Sequence, residues 1–358
     1  MTETTPSLSF WERADLAFSF LSIIRSALCS AITSIFRGKS GAKQYSVHVG
    51  HVIFRKMLSR LSSRQLQYIY PSTRSAYETF MKHKGLPPET VTLQHGATGH
   101  WIGNKNATNV VIYFHGGGFA VSAISGHFAF YFQILSDLNT SDHDIAIFFV
   151  SYSLTPTYTY PVQLRQSVEA LRYIILETGR SPSNVIVGGD SAGGNLALTV
   201  LLHLSHPHPE IEPLDGYITS PLAGVFAFAP WVRFRTDWPS IQENQSKDLI
   251  SGPVLEFWAK EYLGGFTGDV WSEPGRASLE WWMDASRYTK KVLFLAGRDE
   301  ILFSGIEEFV KKFKSVVPHV TYIVGHEETH VAPVYSATFL GQETQQGRGL
   351  KDWLGTCF

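Results

Sequence analysis

The chain has 358 residues, with 30 lysines and arginines against 31 acids and a formal charge of −1. That balance leaves no basic surface for nucleic acid, and the length suits one large α/β domain with an elaborated cap. Its two cysteines, Cys29 and Cys357, are too few for a disulfide framework; one bridge between the termini is permitted but not indicated.

Residues 16–36 are apolar enough to suggest a membrane span. However, Ser19, Ser22, Ser26, Ser30, Thr33 and Arg37 recur every three or four residues, with Arg25 beside them. The spacing predicts an amphipathic helix with one narrow polar stripe and a wide apolar face that docks on something. Three surfaces stay open: the body of the protein as a cap helix, a membrane interface, or a bilayer crossed outright. The uncharged serines offer nothing to anionic headgroups, which favours the cap. Glu3 and Glu12 replace a basic leader and no cleavage site is evident, so a signal peptide is not expected. A cytoplasmic protein is expected, with membrane-surface association through residues 16–37 as the variant.

From about residue 90 short strands alternate with helices, the pattern of a mostly parallel sheet covered on both faces. Residues 109–114 read as a buried strand, and His115-Gly116-Gly117-Gly118-Phe119 follows it directly. Three glycines there leave backbone N–H groups free to face a developing oxyanion. A plain chain-reversing turn is the bland alternative; no Gly-Lys-Ser/Thr follows, which argues against a phosphate loop. Residues 144–150 form another continuous apolar strand, as a central position requires.

Residues 183–188 then lead as a strand into Gly189-Asp190-Ser191-Ala192-Gly193-Gly194, with an apolar helix over 195–202. G-x-S-x-G between a strand and a helix is a nucleophile elbow, whose sharp turn lifts the serine hydroxyl clear of the sheet. After a strand at 224–229 the pattern breaks between residues 230 and 289. Six of the nine tryptophans fall there: Trp231, Trp238, Trp258, Trp271, Trp281 and Trp282. They can wall an apolar pocket or merely fix a cap to the body. A strand at 291–296 runs into Asp299 and Glu300, and one at 319–324 precedes His326 and His330. His203, His206 and His208 cluster at a helix end and read as solvated. No HExxH or Cys/His ligand spacing is present, so no metal and no cofactor are expected.

The unaltered HGGG and GDSAGG motifs resemble those of the hormone-sensitive-lipase group of α/β-hydrolases, most closely its fungal esterase/lipase-like members. The likeness covers roughly residues 90–350 and leaves the first 90 unplaced. It implies the α/β-hydrolase fold with a helical cap, 91–358 being the catalytic domain with a cap insertion at about 231–289; the amphipathic pattern, not the likeness, assigns residues 1–90 to the cap as an N-terminal helical segment. The likeness implies a serine, acid, histidine order. Ser191 is then the nucleophile, and Asp299, at the group's acid position, orients the histidine, with Glu300 as rival. His330, in His-Val-Ala-Pro, is the base in preference to His326, which lies too near its strand. The group's pattern assigns the oxyanion hole to the N–H groups of Gly116, Gly117 and Ala192. Ser153 and Thr157 stand where relatives carry a structural ion pair. The expected function is hydrolysis of an apolar carboxylic ester through an acyl-enzyme. A cyclase, an acyl-transfer enzyme or a ligand-binding receptor on the same fold is the alternative.

Overall fold

The computed structural model describes residues 6–38, 41–139, 143–339, 341 and 343–358; Glu3 lies outside the described residues. An eight-stranded sheet runs in the order β1-β2-β4-β3-β5-β6-β7-β8. Its strands are β1 (Glu89–Thr92), β2 (Thr98–Ile102), β3 (Asn109–Phe114), β4 (Ile145–Ser151), β5 (Val185–Asp190), β6 (Gly224–Phe228), β7 (Val292–Gly297) and β8 (Val320–Gly325). From β4 to β8 every pairing is parallel, whereas β1 and β2 join antiparallel. The continuous apolar runs predicted β3 to β8 to within one or two residues. The β1–β2 hairpin, being short and polar, gave no such signal.

Alternate side chains of the central strands feed two cores. Ile112, Phe114, Phe148 and Val187 face α6 (Val162–Arg172) and α7 (Ala192–Ser205). Tyr113, Phe149, Ile186 and Phe226 face α5 (Ser125–Leu138) and the C-terminal helix α13 (Gln345–Gly355). α7 is buried almost throughout and starts at the carboxyl end of β5, so the turn between them opens at the sheet's upper edge, where α/β folds place ligands. Gln163 and Gln166 of α6 hydrogen-bond the Ser153 backbone, at 3.0 and 2.7 Å.

The insertion after β6 carries α8 (Pro239–Glu243), α9 (Gly252–Leu263) and α10 (Leu279–Ala285). α11 (Phe303–Lys314) and α12 (Ala332–Phe339) follow β7 and β8. Ahead of the sheet come α1 (Phe10–Thr33), α2 (Tyr45–Arg60), α3 (Ser63–Ile69) and α4 (Thr73–His83). A capping box between Ser9 and Glu12 starts α1.

Two expectations are corrected. The serine stripe of α1 faces the protein, with Ser19 and Ser30 buried, and the apolar face points outward. Asp15 and Glu12 on the stripe side pair with Arg60 and Arg64, at 2.6 and 3.1 Å, which fixes that orientation. Small hydroxyl side chains let α1 approach α2 closely and satisfy themselves locally, as in Ser19 Oγ to Asp15 O at 2.7 Å. The histidine cluster is not uniformly solvated either. His203 is buried, accepts the His208 N–H at 3.0 Å, and is held by burial to a pKa of about 4. Cys29 and Cys357 are free thiols.

Candidate active site

Ser191 joins β5 to α7 at φ 53° and ψ −115°, a backbone region a side chain rarely enters. Its N–H donates to Phe228 O at 2.8 Å, and its carbonyl accepts from Trp231 and Asn195 at 3.0 Å each. A Cβ on Gly193 would lie 1.9 Å from Phe114 O, and one on Gly189 2.4 Å from the Gly193 backbone. Only glycine allows the strand and helix to close so tightly, and that closeness strains the serine between them.

The loop after β8 brings His330 to this turn. His330 Nε2 lies 2.8 Å from Ser191 Oγ, and both residues are buried. His326, the competing histidine, is exposed. The carboxylate behind the imidazole is Glu300, with Oε2 3.6 Å from His330 Nδ1. Glu300 is fully buried and accepts the Gly297 N–H at 3.2 Å. Among the described residues His330 Nδ1 has no closer hydrogen-bond partner, which leaves the Glu300 carboxylate to satisfy it.

Asp299, expected in that place, is not there. Its Oδ1 accepts from Lys247 Nζ at 2.7 Å, on the other side of the turn. Both residues lie in the turn after β7, which aims Glu300 at the histidine and Asp299 at Lys247. A single-residue difference therefore separates the sequence expectation from the observed geometry.

A second buried carboxylate, Asp248, went unforeseen. Its Oδ1 accepts the backbone N–H groups of His330 at 3.1 Å and Leu249 at 2.8 Å, and its Oδ2 that of Ile301 at 2.8 Å. It thereby ties the histidine loop to the Glu300 turn. Burial, with Glu300 adding to it, pushes the Asp248 carboxyl up to about 6. No motif surrounds it, and its place within the cap insertion hides it from sequence reasoning. Burial alone would lower the His330 pKa, but the Glu300 carboxylate, with help from Asp248 and Asp190, holds it above the ordinary histidine value.

On the opposite wall Asp190 Oδ1 accepts the Gly116 N–H at 2.8 Å and the Tyr113 hydroxyl. Gly116 is therefore already engaged, which removes it from the expected oxyanion donors. Among the described residues the N–H groups of Gly117 and Gly118 have no acceptor. Ala192 N–H opens α7, where the first turn leaves its donors free.

A family model described as alpha/beta hydrolase fold matches residues 111–334, more than half of the chain. The chain belongs to the hormone-sensitive-lipase-like α/β-hydrolases. Steryl acetyl hydrolase 1 of Saccharomyces cerevisiae is 33% identical over 241 residues, 63% of this chain and 54% of that protein. An esterase of Acinetobacter venetianus is 27% identical over 208 residues, 58% of this chain and 62% of that protein. The match thus spans somewhat over half the length of these relatives. A hormone-sensitive lipase from a metagenome library shares the fold with a TM-score of 0.62 at 19% identity, covering 81% of this chain and 94% of that one. Carboxyl esterase 2 of Tuber melanosporum gives 0.60 at 20%, covering 75% and 84%.

In this α/β-hydrolase the cavity beside Ser191 is about 60 Å³ and mainly apolar, with Ser122, His127 and Asp190 among its walls beside the Ser191–His330 pair. Of the six insertion tryptophans only Trp231 and Trp258 line it. Trp282 packs on Phe313 at 4.9 Å, Trp238 lies under Arg235, and Trp281 stacks on His206 at 4.1 Å with Trp271 tilted against it. Those four fasten the insertion to the body. The rest of the roof comes from α2, whose Phe54, Met57 and Leu58 look into the cavity, and from Tyr70. α2 is also bonded to the loop that carries Asp248. His51 Nδ1 meets Lys247 O at 2.8 Å, and Arg55 donates to Asp248 O.

Gly118 sits at φ 61°, and a Cβ there would lie 2.1 Å from Trp258 Cε3. Gly118→Ala is expected to rotate the peptide or displace Trp258, lowering kcat by about 10²–10³, the usual cost of one oxyanion donor. Steady-state kinetics on a soluble ester checks this, and a loss under fivefold would remove Gly118 from the site.

Proposed function

We propose that the chain hydrolyses carboxylic esters of apolar alcohols through an acyl-enzyme on Ser191. The observation that carries this reading is the 2.8 Å Ser191–His330 contact at a strained elbow, with a buried carboxylate behind the imidazole. Ser191 Oγ attacks the carbonyl while His330 Nε2 takes its proton. Glu300 stabilises the imidazolium and fixes the tautomer through Nδ1. The N–H groups of Gly117, Gly118 and Ala192 receive the oxyanion. His330 returns the proton to the leaving alcohol, and water then releases the acid by the same path. Residues 1–90 and 231–289 act together as the roof of the site.

The substrate class follows from the cavity. A space of about 60 Å³ holds a few waters or a short acyl group. Mainly apolar walls give few partners to a sugar or a charged metabolite. The yeast relative is named a steryl acetyl hydrolase, which agrees with a small acyl group on a bulky alcohol. kcat/KM on p-nitrophenyl esters is expected to be highest for acetate to butyrate and at least about a hundredfold lower for palmitate, because each methylene beyond the cavity must displace packed side chains. A preference for palmitate would sink the short-acyl reading. Failure to release free acid from any of these esters would favour a cyclase, an acyl-transfer enzyme or a receptor.

A further inference from the structure

We propose that the outward face of α1 is a docking surface for a lipid bilayer, lying on the bilayer rather than crossing it. Phe10–Phe36 is long and apolar enough to span a membrane, yet only 22% of its most apolar window is buried. At 100° per residue, Phe18, Leu21, Ile24, Arg25, Leu28 and Ile32 fall within about 120° of one another on the exposed side. From Phe18 to Ile32 the strip extends about 21 Å along the helix. Leu21 and Leu28 are 64% and 63% exposed, and Phe36 at its end 86%. So long a continuous apolar strip is far more than scattered surface hydrophobics provide.

The opposite side is fixed. Ion pairs from Asp15 to Arg60 and from Glu12 to Arg64, with Gln65 bonded to Asp15 and Glu12 O at 3.0 Å, hold the first turns of α1 against the body. At the far end the Tyr45 hydroxyl donates to Ala31 O. α1 is thus held along the body at both ends, which opposes its projecting outward as a span.

Charge selects lipid over a second copy of the chain. Arg25 is the only charged residue between Leu16 and Phe36, and it sits within the exposed apolar strip near the helix midpoint. A two-fold pairing of this face, parallel or antiparallel, would bring two Arg25 guanidinium groups close together inside an apolar seam. At a bilayer surface the same arginine stretches to a lipid phosphate while its neighbours enter the acyl boundary. Because α2 lies between α1 and the cavity, docking would hold the roof of the site against the lipid that dissolves apolar esters. That last consequence rests on the proposed hydrolase activity, whereas the docking does not.

The test uses full-length protein and sedimentation with vesicles of phosphatidylcholine, with and without phosphatidylserine. Wild type is expected to co-sediment with both, more strongly with the anionic vesicles. The double variant Leu21→Glu, Leu28→Glu should lose about tenfold or more in bound fraction. Arg25→Glu should lose the preference for phosphatidylserine. Both variants change exposed positions, so their circular dichroism and turnover of p-nitrophenyl butyrate should match wild type. Wild type remaining in the supernatant would overturn the proposal, as would undiminished binding by the double variant. Resistance to alkaline carbonate extraction would show a span instead, and a wild-type dimer that the double variant converts to monomer would show a second copy. Inactivity on every ester with vesicle binding intact would sink the hydrolase reading alone.

Discussion

Ser191→Ala is expected to lower kcat by roughly 10⁴ to 10⁶, and His330→Ala by a similar factor, with the double variant scarcely worse than either. The near-equality follows from the 2.8 Å contact, because the hydroxyl is a nucleophile only while the imidazole can take its proton. Neither change should cost much stability. Ser191 sits in a strained conformation that alanine does not worsen. An organophosphonate should label wild type at Ser191 alone, found by peptide mass spectrometry. Activity within tenfold of wild type in Ser191→Ala would exclude an acyl-enzyme at this position, and labelling at Ser153 or Ser304 would move the nucleophile elsewhere.

Glu300→Gln should cost about four orders of magnitude in kcat, by analogy with amide replacements in other serine triads, while Asp299→Asn should stay within about tenfold of wild type. An amide at position 300 offers the Nδ1 proton a weaker partner and favours the wrong tautomer. Asp299→Asn only releases Lys247 from a partly exposed ion pair, a loss of about 1 kcal/mol or less. The pH profile separates these outcomes further. His330 must be neutral to act as a base, and its pKa is raised, so activity should appear as pH rises through a value above the ordinary 6.5. Removing the Glu300 charge removes the leading cause of that rise, so the residual activity of Glu300→Gln should set in at lower pH. Asp299→Asn should leave the acid limb in place. The reverse pattern would restore Asp299 as the orienting acid.

How much of this was legible in the sequence depends on how local each signal is. Ser191 and the glycines about it are dictated by a turn five residues long, and the buried runs of β3 to β8 by their own composition. His330 was separable from His326 by its distance from the strand end. Asp299 against Glu300 was not separable, because both follow β7 and the choice depends on which side chain the turn aims at a loop thirty residues later. Asp248 acts through backbone N–H groups of distant segments and carries no motif at all. Gly116 looks like its two neighbours until the Asp190 carboxylate is seen to occupy it. The α1 stripe was read with the right period and the wrong sign. Periodicity tells which residues share a face, but not which face meets the protein when small hydroxyls pack well and a bilayer is an alternative solvent for the leucines.

The bonds from His51 and Arg55 to the Lys247–Asp248 backbone also set an order of events during synthesis. These partners are separated by 196 and 193 residues of chain. At ribosomal speeds of about 5–20 residues per second, α2 emerges roughly 10–40 s before the segment that will anchor it exists. Throughout that interval Phe54, Met57 and Leu58 have no cavity to face, and the leucines of α1 are already in the open. The nascent chain is therefore most exposed to chaperones, and to premature capture by a bilayer, while its first hundred residues are complete and its nucleophile has yet to be translated.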